Sequence, residues 1–238
     1  MSGRLVVGVP TEVKDDERRV ALTPDGVREL EAHGAEVLVQ AGAGVGAFIP
    51  DDDFVRAGAE IVASADELWA RSGLVIKVKE PKAEEFGFLR PDLTLFTYLH
   101  LAAYPEVADA LLAARTTAVA YETVQLGSGA LPLLAPMSEV AGHLAPQMGA
   151  HYLERHNGGR GVLMGGAPGV QPAKVVVLGA GTSAGTRPGS RPGWKRKWSC
   201  STRTSTACAG WIRSTRDGSS PSPPTAARSS ATSPMPIS

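Results

Sequence analysis

The sequence predicts an α/β protein whose N-terminal part is a parallel sheet with helices on both faces. Three observations support this fold class. Short apolar segments rich in β-branched residues recur through the first 121 residues, helix signals lie between them, and a further apolar segment, Lys174–Leu178, runs directly into Gly179-Ala180-Gly181. Buried parallel strands are typically continuous apolar runs, and strands that alternate with helices are typical of parallel sheets.

Six strands are expected in the first half of the chain. They lie at residues 5–9, 37–39, 61–62, 74–78, 93–99 and 118–121. The fourth and fifth of these could be neighbours, because sequential strands are often adjacent in a sheet.

Helix signals separate several of these strands. Thr23 and Pro24 predict a helix start, because threonine is a favoured N-cap and proline fits the first turn, and Gly34 predicts its end. A second helix is expected over residues 106–114. A third is expected over residues 138–156, capped by Ser138 and kinked at Pro146.

The segment that follows Leu178 predicts the start of a dinucleotide-binding domain. Gly179 and Gly181 would let the backbone approach a pyrophosphate, and Ala184 occupies the third position of the glycine motif. A single such motif is weak evidence, but the preceding strand strengthens it. We therefore assign residues 1–135 to a first domain. Residues 136–186 are a bridging helix and a truncated Rossmann domain.

The composition changes sharply after Thr186. Residues 187–238 contain no Val, Leu or Phe, and nine Lys or Arg against a single acid, Asp217, although the whole chain has a net charge of zero. A segment with so little apolar surface cannot offset the entropy lost on ordering, so a disordered tail is expected. A natural basic tail for nucleic acid is the simpler interpretation, but the change falls inside a nucleotide-binding unit.

A shifted reading frame is the sharper interpretation of this tail. With one choice of codons for Thr186 to Arg203, a frame two bases further on encodes a helix, a glycine turn and Val-Val-Val-Leu-Asp. That is the missing half of a βαβ unit, with the acid where a ribose hydroxyl needs one.

The remaining composition narrows the class of protein. No apolar run is long enough to span a membrane, and no secretory leader is visible at the N-terminus. Both cysteines, Cys200 and Cys208, lie in the aberrant tail, which argues against disulfides or a thiolate metal site. No metal is expected, and a cytoplasmic soluble protein is the default.

Three basic residues follow predicted strand ends, where ligands bind in parallel sheets. Arg19 could clamp a carboxylate through two hydrogen bonds, Lys79 could act as acid or base, and His100 suits proton transfer near neutrality. We expect them to face one cleft. The alternatives are that Lys77 or Lys79 is a solvated strand-end charge and that His100 is a hydrogen-bonded core histidine.

Seven stretches together resemble bacterial NAD-dependent alanine dehydrogenase, over about residues 4–185. They are VGVPTEVKDDERRVALTPDGV, QAGAGVGAFIPDDDF, IKVKEP, FTYLHLA, AYETVQ, LPLLAPMSEVAG and GGRGVLMGGAPGV. The resemblance implies a substrate domain followed by an NAD domain, in a homohexamer. It assigns Arg19 to the substrate carboxylate, Lys79 to substrate binding and catalysis, and His100 to acid–base catalysis.

For the cofactor, the resemblance places Ser138 against the nucleotide and Gly179 and Gly181 in the dinucleotide turn. The implied reaction is the reversible NAD-dependent conversion of L-alanine and water to pyruvate and ammonium. The family's catalytic acid and ribose-binding acid have no match in this chain. No membrane or nucleic-acid partner is expected.

Two other functions remain open on the sequence. The nucleotide-binding subunit of a proton-translocating transhydrogenase shares this two-domain fold, although the intact KVKEP and LHLA stretches favour the dehydrogenase. A non-enzymatic truncated product with a basic nucleic-acid-binding tail is the other.

Overall fold

Six parallel strands form the sheet of the first half of the chain. They are β1 (Val6–Val9), β2 (Glu36–Gln40), β3 (Glu60–Val62), β4 (Leu74–Ile76), β5 (Thr94–Thr97) and β6 (Thr117–Ala120), in the order β3-β2-β1-β4-β5-β6. The computed structural model describes residues 4–178 and 197–201. The chain divides into two units, Met1–Ala135 and Pro136–Ser238.

Four helices connect the strands of this sheet. They are α1 (Pro24–Ala32), α2 (Asp51–Ala57), α3 (Ala65–Arg71) and α4 (Pro105–Ala114). The predicted start of α1 is confirmed, since the Thr23 side chain accepts a hydrogen bond from the backbone nitrogen of Gly26. The helices α2 and α3 were not predicted, although Pro50 precedes α2 and the Ser64 hydroxyl caps α3.

Helices cover both faces of the sheet, as the strand sequences predicted. In β2, Val37 and Val39 pack into the cluster that contains Val27 of α1 and Phe54 of α2. Leu38, between them, joins the opposite cluster, with residues of α3 and α4. Successive strand residues point to opposite faces, so the continuous apolar run of β2 is buried from both sides.

Gly8 of β1 lies close to side chains at the end of α3. A Cβ atom built there would lie 2.2 Å from the Ser72 hydroxyl oxygen and 2.7 Å from a methyl carbon of Leu68. A larger residue at this position would therefore require the side chains of Ser72 and Leu68 to shift.

The first helix of the second part is α5 (Ala135–Leu153), which contains Pro146. The prediction that Ser138 caps this helix is wrong, because Ser138 is the fourth residue of the helix. The apolar segment that precedes the glycine motif forms β7 (Lys174–Leu178), as predicted.

A second strand follows β7, contrary to the sequence prediction. It is β8 (Lys197–Ser201), which pairs with β7 in parallel, Lys174 opposite Lys197 and Leu178 opposite Ser201. The expectation of a wholly disordered tail is therefore corrected at these five residues. The rest of residues 187–238 lies outside the described part of the chain.

Candidate functional site

The ends of four adjacent strands define the candidate site. The strands β1, β4, β5 and β6 are neighbours and parallel, so their carboxyl ends lie along one edge of the sheet. The predicted pairing of the fourth and fifth strands is confirmed. Arg19, Lys79 and His100 lie in the segments that follow β1, β4 and β5 respectively.

Arg19 forms a two-point ion pair with Glu17. Oε1 of Glu17 accepts hydrogen bonds from the Nε of Arg19 at 2.7 Å and from its backbone nitrogen at 3.0 Å, and Oε2 pairs with the guanidinium Nη2. The hydrogen bonds from Arg19 hold the pKa of Glu17 below its usual value against the opposing effect of burial. This geometry is the fork that an arginine offers to a carboxylate.

A small pocket adjoins this pair. It has a volume of about 100 Å³ and is lined by Thr11, Glu12, Glu17, Arg18, Arg19, Gly42, Ala43 and Gly46. Arg19 therefore lies at a pocket, whereas Lys79 and His100 are not among its lining residues.

The backbone of Lys79 is fixed from two sides. Its amide donates to Oε2 of Glu12 at 3.2 Å, and its carbonyl accepts from the Thr97 hydroxyl at 2.9 Å. The side chain is half-buried, and within residues 4–178 and 197–201 its ammonium makes no ion pair.

Lys77, two residues earlier, differs from Lys79 in its burial and in its ion pairs. It is fully buried, and its Nζ lies 2.7 Å from Oε1 of Glu85 and 3.5 Å from Oε2 of Glu12. The interpretation of Lys77 as a solvated strand-end charge is wrong. Burial raises the pKa of Glu12, while Lys77 and the amides of Val78 and Lys79 oppose that rise.

His100 projects from an unusual backbone conformation after β5. Its φ of 49° lies in the left-handed region. The carboxylate of Glu122, which follows β6, accepts hydrogen bonds from the backbone nitrogens of His100 at 2.8 Å and Leu99 at 3.2 Å. The His100 side chain is 41% exposed, so the core-histidine interpretation is wrong.

A buried carboxylate, Glu80, lies between several cations. Its side chain is fully buried. Oε1 accepts a hydrogen bond from Nζ of Lys14 at 2.7 Å and lies 3.3 Å from Nζ of Lys82. The other oxygen, Oε2, lies 3.4 Å from Nδ1 of His100. Burial acts to raise the pKa of Glu80, but the hydrogen bonds from Lys14, the backbone and Lys82 outweigh it and hold the pKa below its usual value.

Indirect contacts connect the three predicted residues. The ring of Tyr98 lies 5.9 Å from that of His100 between centroids. The charge of Arg19 acts to lower the pKa of Tyr98, which burial raises overall. The charge of Lys79 contributes to lowering the pKa of Glu17, the partner of Arg19. Arg19, Lys79 and His100 thus interact through shared neighbours, Glu17 and Tyr98.

The predicted cofactor residues lie in the second part of the chain. Ser138 is half-buried within α5. Gly179 and Gly181 lie outside the described residues. Among the residues that the structure describes, no group of histidine, cysteine or acidic side chains could hold a metal ion. None of the described helices has the length and apolar character needed to cross a bilayer.

Sequence reasoning missed the acidic residues of the site. Glu12, Glu17, Glu80 and Glu122 each hold a cation or a backbone amide beside a predicted residue. Their signal was position, because each lies in the segment that follows a strand of the sheet. Their burial and partners depend on contacts across strands, which spacing does not reveal.

Comparison with known proteins identifies the family. The model of the alanine dehydrogenase/PNT N-terminal domain matches residues 8–141, and that of the corresponding C-terminal domain matches residues 145–187. The chain belongs to the alanine dehydrogenase/PNT family. The second match ends within one residue of the change in composition, so the alanine dehydrogenase/PNT character is lost where the tail begins.

Individual relatives agree with the family match. An alanine dehydrogenase of Mycolicibacterium smegmatis is 62% identical over 179 residues, which are 75% of this chain and 48% of that protein. An alanine dehydrogenase of Bacillus subtilis is 51% identical over 177 residues, 74% of this chain and 46% of that protein. This member of the alanine dehydrogenase/PNT family thus spans about half the length of these relatives.

Solved structures give the same result. An L-alanine dehydrogenase superimposes with a TM-score of 0.71 at 51% identity, covering 75% of this chain and 49% of the other. A transhydrogenase from Sinorhizobium meliloti reaches the same TM-score at 26% identity, covering 87% of this chain and 59% of the other.

Proposed function

We propose that this chain is the substrate-binding half of an NAD-dependent alanine dehydrogenase, which interconverts L-alanine with pyruvate and ammonium. The observation that carries the proposal is the set of Arg19, Lys79 and His100 at adjoining strand ends. The 62% identity to an alanine dehydrogenase over this region supports it.

Each of these residues has a role that follows from its surroundings. The guanidinium of Arg19 already binds a carboxylate, that of Glu17, through two of its nitrogens. The same geometry suits the carboxylate of alanine or pyruvate. The substrate carboxylate would compete with Glu17 for this guanidinium. Within the described residues the ammonium of Lys79 forms no ion pair, and its backbone is fixed by Glu12 and Thr97. Such a cation suits an oxygen that develops negative charge.

His100 is the residue for proton transfer. Its half-exposed ring can exchange protons with substrate or water, while Glu122 fixes its backbone. Loss of ammonia requires an acid, and addition of water requires a base, and an imidazole can serve as either near neutrality.

The NAD cofactor fits this chain only in part. The strand β7 would lead into the turn at Gly179 and Gly181, and Ser138 would touch the nucleotide. When bound, NAD accepts the hydride that leaves the substrate Cα. The acid that would bind the adenosine ribose is missing, because the only acidic residue beyond Thr186 is Asp217.

A shifted reading frame explains this partial fit. With the codons chosen above, the frame two bases on would encode Val-Val-Val-Leu-Asp across codons 197–202, and β8 occupies Lys197–Ser201. The end of the second family match at residue 187 supports the same break. We call the chain with this frame resumed after Thr186 the frame-restored protein; we expect a cytoplasmic homohexamer.

Transhydrogenase is the second candidate function. The match to a transhydrogenase structure covers more of this chain, 87%, than the match to the L-alanine dehydrogenase structure. The identity is 26%, however, against 51–63% for alanine dehydrogenases. The identity therefore favours the dehydrogenase.

The discriminating experiment is an assay of the frame-restored protein. We expect alanine-dependent reduction of NAD, followed by NADH absorbance, with no hydride exchange between NADH and an NADP analogue. Exchange without alanine-dependent activity would select the transhydrogenase. Salt-sensitive DNA binding by the 238-residue chain, lost on removing residues 187–238, would instead support a nucleic-acid function.

A further inference from the structure

The carboxylate oxygen Oε2 of Glu80 lacks a hydrogen-bond donor among the described residues. Oε1 is engaged by two lysines, whereas Oε2 is fully buried and makes no hydrogen bond of standard geometry with the described residues. Nδ1 of His100 lies 3.4 Å from this oxygen. A buried carboxylate oxygen without a donor lowers the stability of the folded state. A hydrogen bond from Nδ1 of His100 would satisfy this oxygen.

The charge of Glu80 restricts the contacts that its oxygens can make. Lys14 and Lys82 flank it, and Lys14 also donates to the Tyr104 hydroxyl at 3.2 Å. A carboxylate held ionised by such neighbours only accepts hydrogen bonds. The contact with His100 is therefore favourable only when Nδ1 bears a hydrogen.

We propose that Glu80 is a positioning residue for His100: its Oε2 accepts the Nδ1–H of the imidazole and thereby presents Nε2 as the nitrogen that exchanges protons. The pairing rests on geometry, and its catalytic meaning rests on the function proposed for His100. A carboxylate that orients a histidine in this way is a general device of acid–base sites.

Two anchors then fix His100. Glu122, from the end of β6, holds its backbone, and Glu80, from the end of β4, holds its ring. Because β4 and β6 flank β5 on either side, the histidine is held from both neighbouring strands. Glu80 is adjacent to Lys79 in sequence, so the same short segment supplies the cation and orients the imidazole.

The alternative is that Glu80 only neutralises Lys14 and Lys82. In that case the tautomer of His100 would not depend on it. The first test is therefore spectroscopic, on the 238-residue chain as it stands. Two-bond correlations between imidazole protons and nitrogens report which ring nitrogen is protonated, and a His100→Gln variant assigns the signals.

At mildly alkaline pH we expect the Nδ1–H tautomer to predominate at His100 and to be lost in Glu80→Gln. Glu80→Asp should retain part of it. The matched control is Glu29→Gln, which removes an exposed carboxylate 3.7 Å from His33 and should leave His100 unchanged. An Nε2–H tautomer in the parent chain, or an unchanged one in Glu80→Gln, overturns the proposal.

The second test measures catalysis in the frame-restored protein. Glu80→Gln should lower kcat for alanine on the order of tenfold or more, because it removes part of the 10²–10⁴-fold that proton transfer contributes, with KM within about twofold of the parent. Glu80→Asp should recover part of the loss. A change confined to KM would reject the positioning role. Absence of activity in the parent itself would reject the proposed function, while the tautomer experiment would still decide the role of Glu80.

Discussion

The ammonium of Lys77 lies 2.7 Å from Oε1 of Glu85, and both side chains are buried beneath the end of β4. The same ammonium lies 3.5 Å from Oε2 of Glu12. The Glu12 carboxylate accepts hydrogen bonds from the backbone amides of Val78 and Lys79. A buried charge cluster therefore supports the backbone of a proposed site residue. The stability of the first unit and the placement of Lys79 are physically coupled.

Replacing Lys77 with methionine should strongly destabilise the first unit. Removing one partner of a buried ion pair leaves the others buried without compensation, which costs about 3–5 kcal/mol. Chemical denaturation followed by tryptophan fluorescence measures the loss, with Trp69 in the core as the reporter. Arg71→Met, which breaks an exposed pair with Glu60, is the control and should cost far less. Similar losses in the two variants would contradict the structural assignment of Lys77.

Glu80 should make the folded state sensitive to acid. Its pKa lies below the ordinary value of 4.5, because hydrogen bonds from Lys14, the backbone and Lys82 outweigh the effect of burial. In the unfolded chain the carboxyl binds a proton more readily. The stabilising contribution is thus complete above pH 4.5 and is lost as the pH falls through the folded-state pKa.

Urea denaturation at a series of acidic pH values tests this dependence. Relative to the parent, Glu80→Gln should have a weaker decline of unfolding free energy below pH 4.5. Glu29→Gln, which changes an exposed carboxyl, should follow the parent curve. An unchanged slope in Glu80→Gln would show that another group controls the acid response.

Arg19→Ala should weaken the binding of alanine and pyruvate in the frame-restored protein. Losing a charge-assisted interaction with a carboxylate costs about 1.5–3 kcal/mol, which corresponds to roughly ten- to a hundredfold in affinity. NADH affinity should stay within about twofold, since the lost contact is to the carboxylate. Steady-state KM values and a fluorescence titration with NADH separate the two effects.

The control for this variant is Arg28→Ala, which removes an exposed arginine paired with Asp25 on α1. It should leave both affinities unchanged. Equal loss of pyruvate and NADH affinity in Arg19→Ala would argue for a general disturbance of folding instead of carboxylate binding.

His100→Ala should act mainly on turnover. Proton transfer by a positioned side chain contributes on the order of 10²–10⁴-fold, so kcat should fall within that range while the affinity for pyruvate changes little. His33→Ala, which removes an exposed histidine near Glu29, is the matched control. A kcat close to that of the parent would remove His100 from the acid–base role.

The sheet was predictable because its signals are local. Continuous apolar runs indicated buried strands, and Thr23 with Pro24 located the start of α1. The helices α2 and α3 have only seven residues each, so hydrophobic periodicity has too few turns to reveal them. At Ser138 the same capping rule failed, because α5 begins three residues earlier.

Of the residues of the candidate site, only the basic ones could be predicted from the sequence. Arg19, Lys79 and His100 could be selected from their positions after strands, but their partners could not. Glu80 and Glu122 reach His100 from β4 and β6, and those contacts depend on strand order. The burial of Lys77 is likewise a property of packing, which the alternation of lysines in Lys77-Val78-Lys79 does not disclose.

The chain as written should not bind NADH, whereas the frame-restored protein should. Parallel pairing of β7 with β8 supplies one neighbour for β7. The sequence around β8 nevertheless contains no acid for the adenosine ribose, since Asp217 is the only acidic residue after Thr186. With the codons chosen above, the frame two bases on would place an aspartate at codons 201–202, directly after the strand, where a ribose hydroxyl would be bound. Fluorescence titration of both proteins with NADH, together with DNA sequencing across codons 183–190, tests this account. Saturable NADH binding by the 238-residue chain, or an uninterrupted frame in the gene, would show that residues 187–238 belong to the protein in their own right.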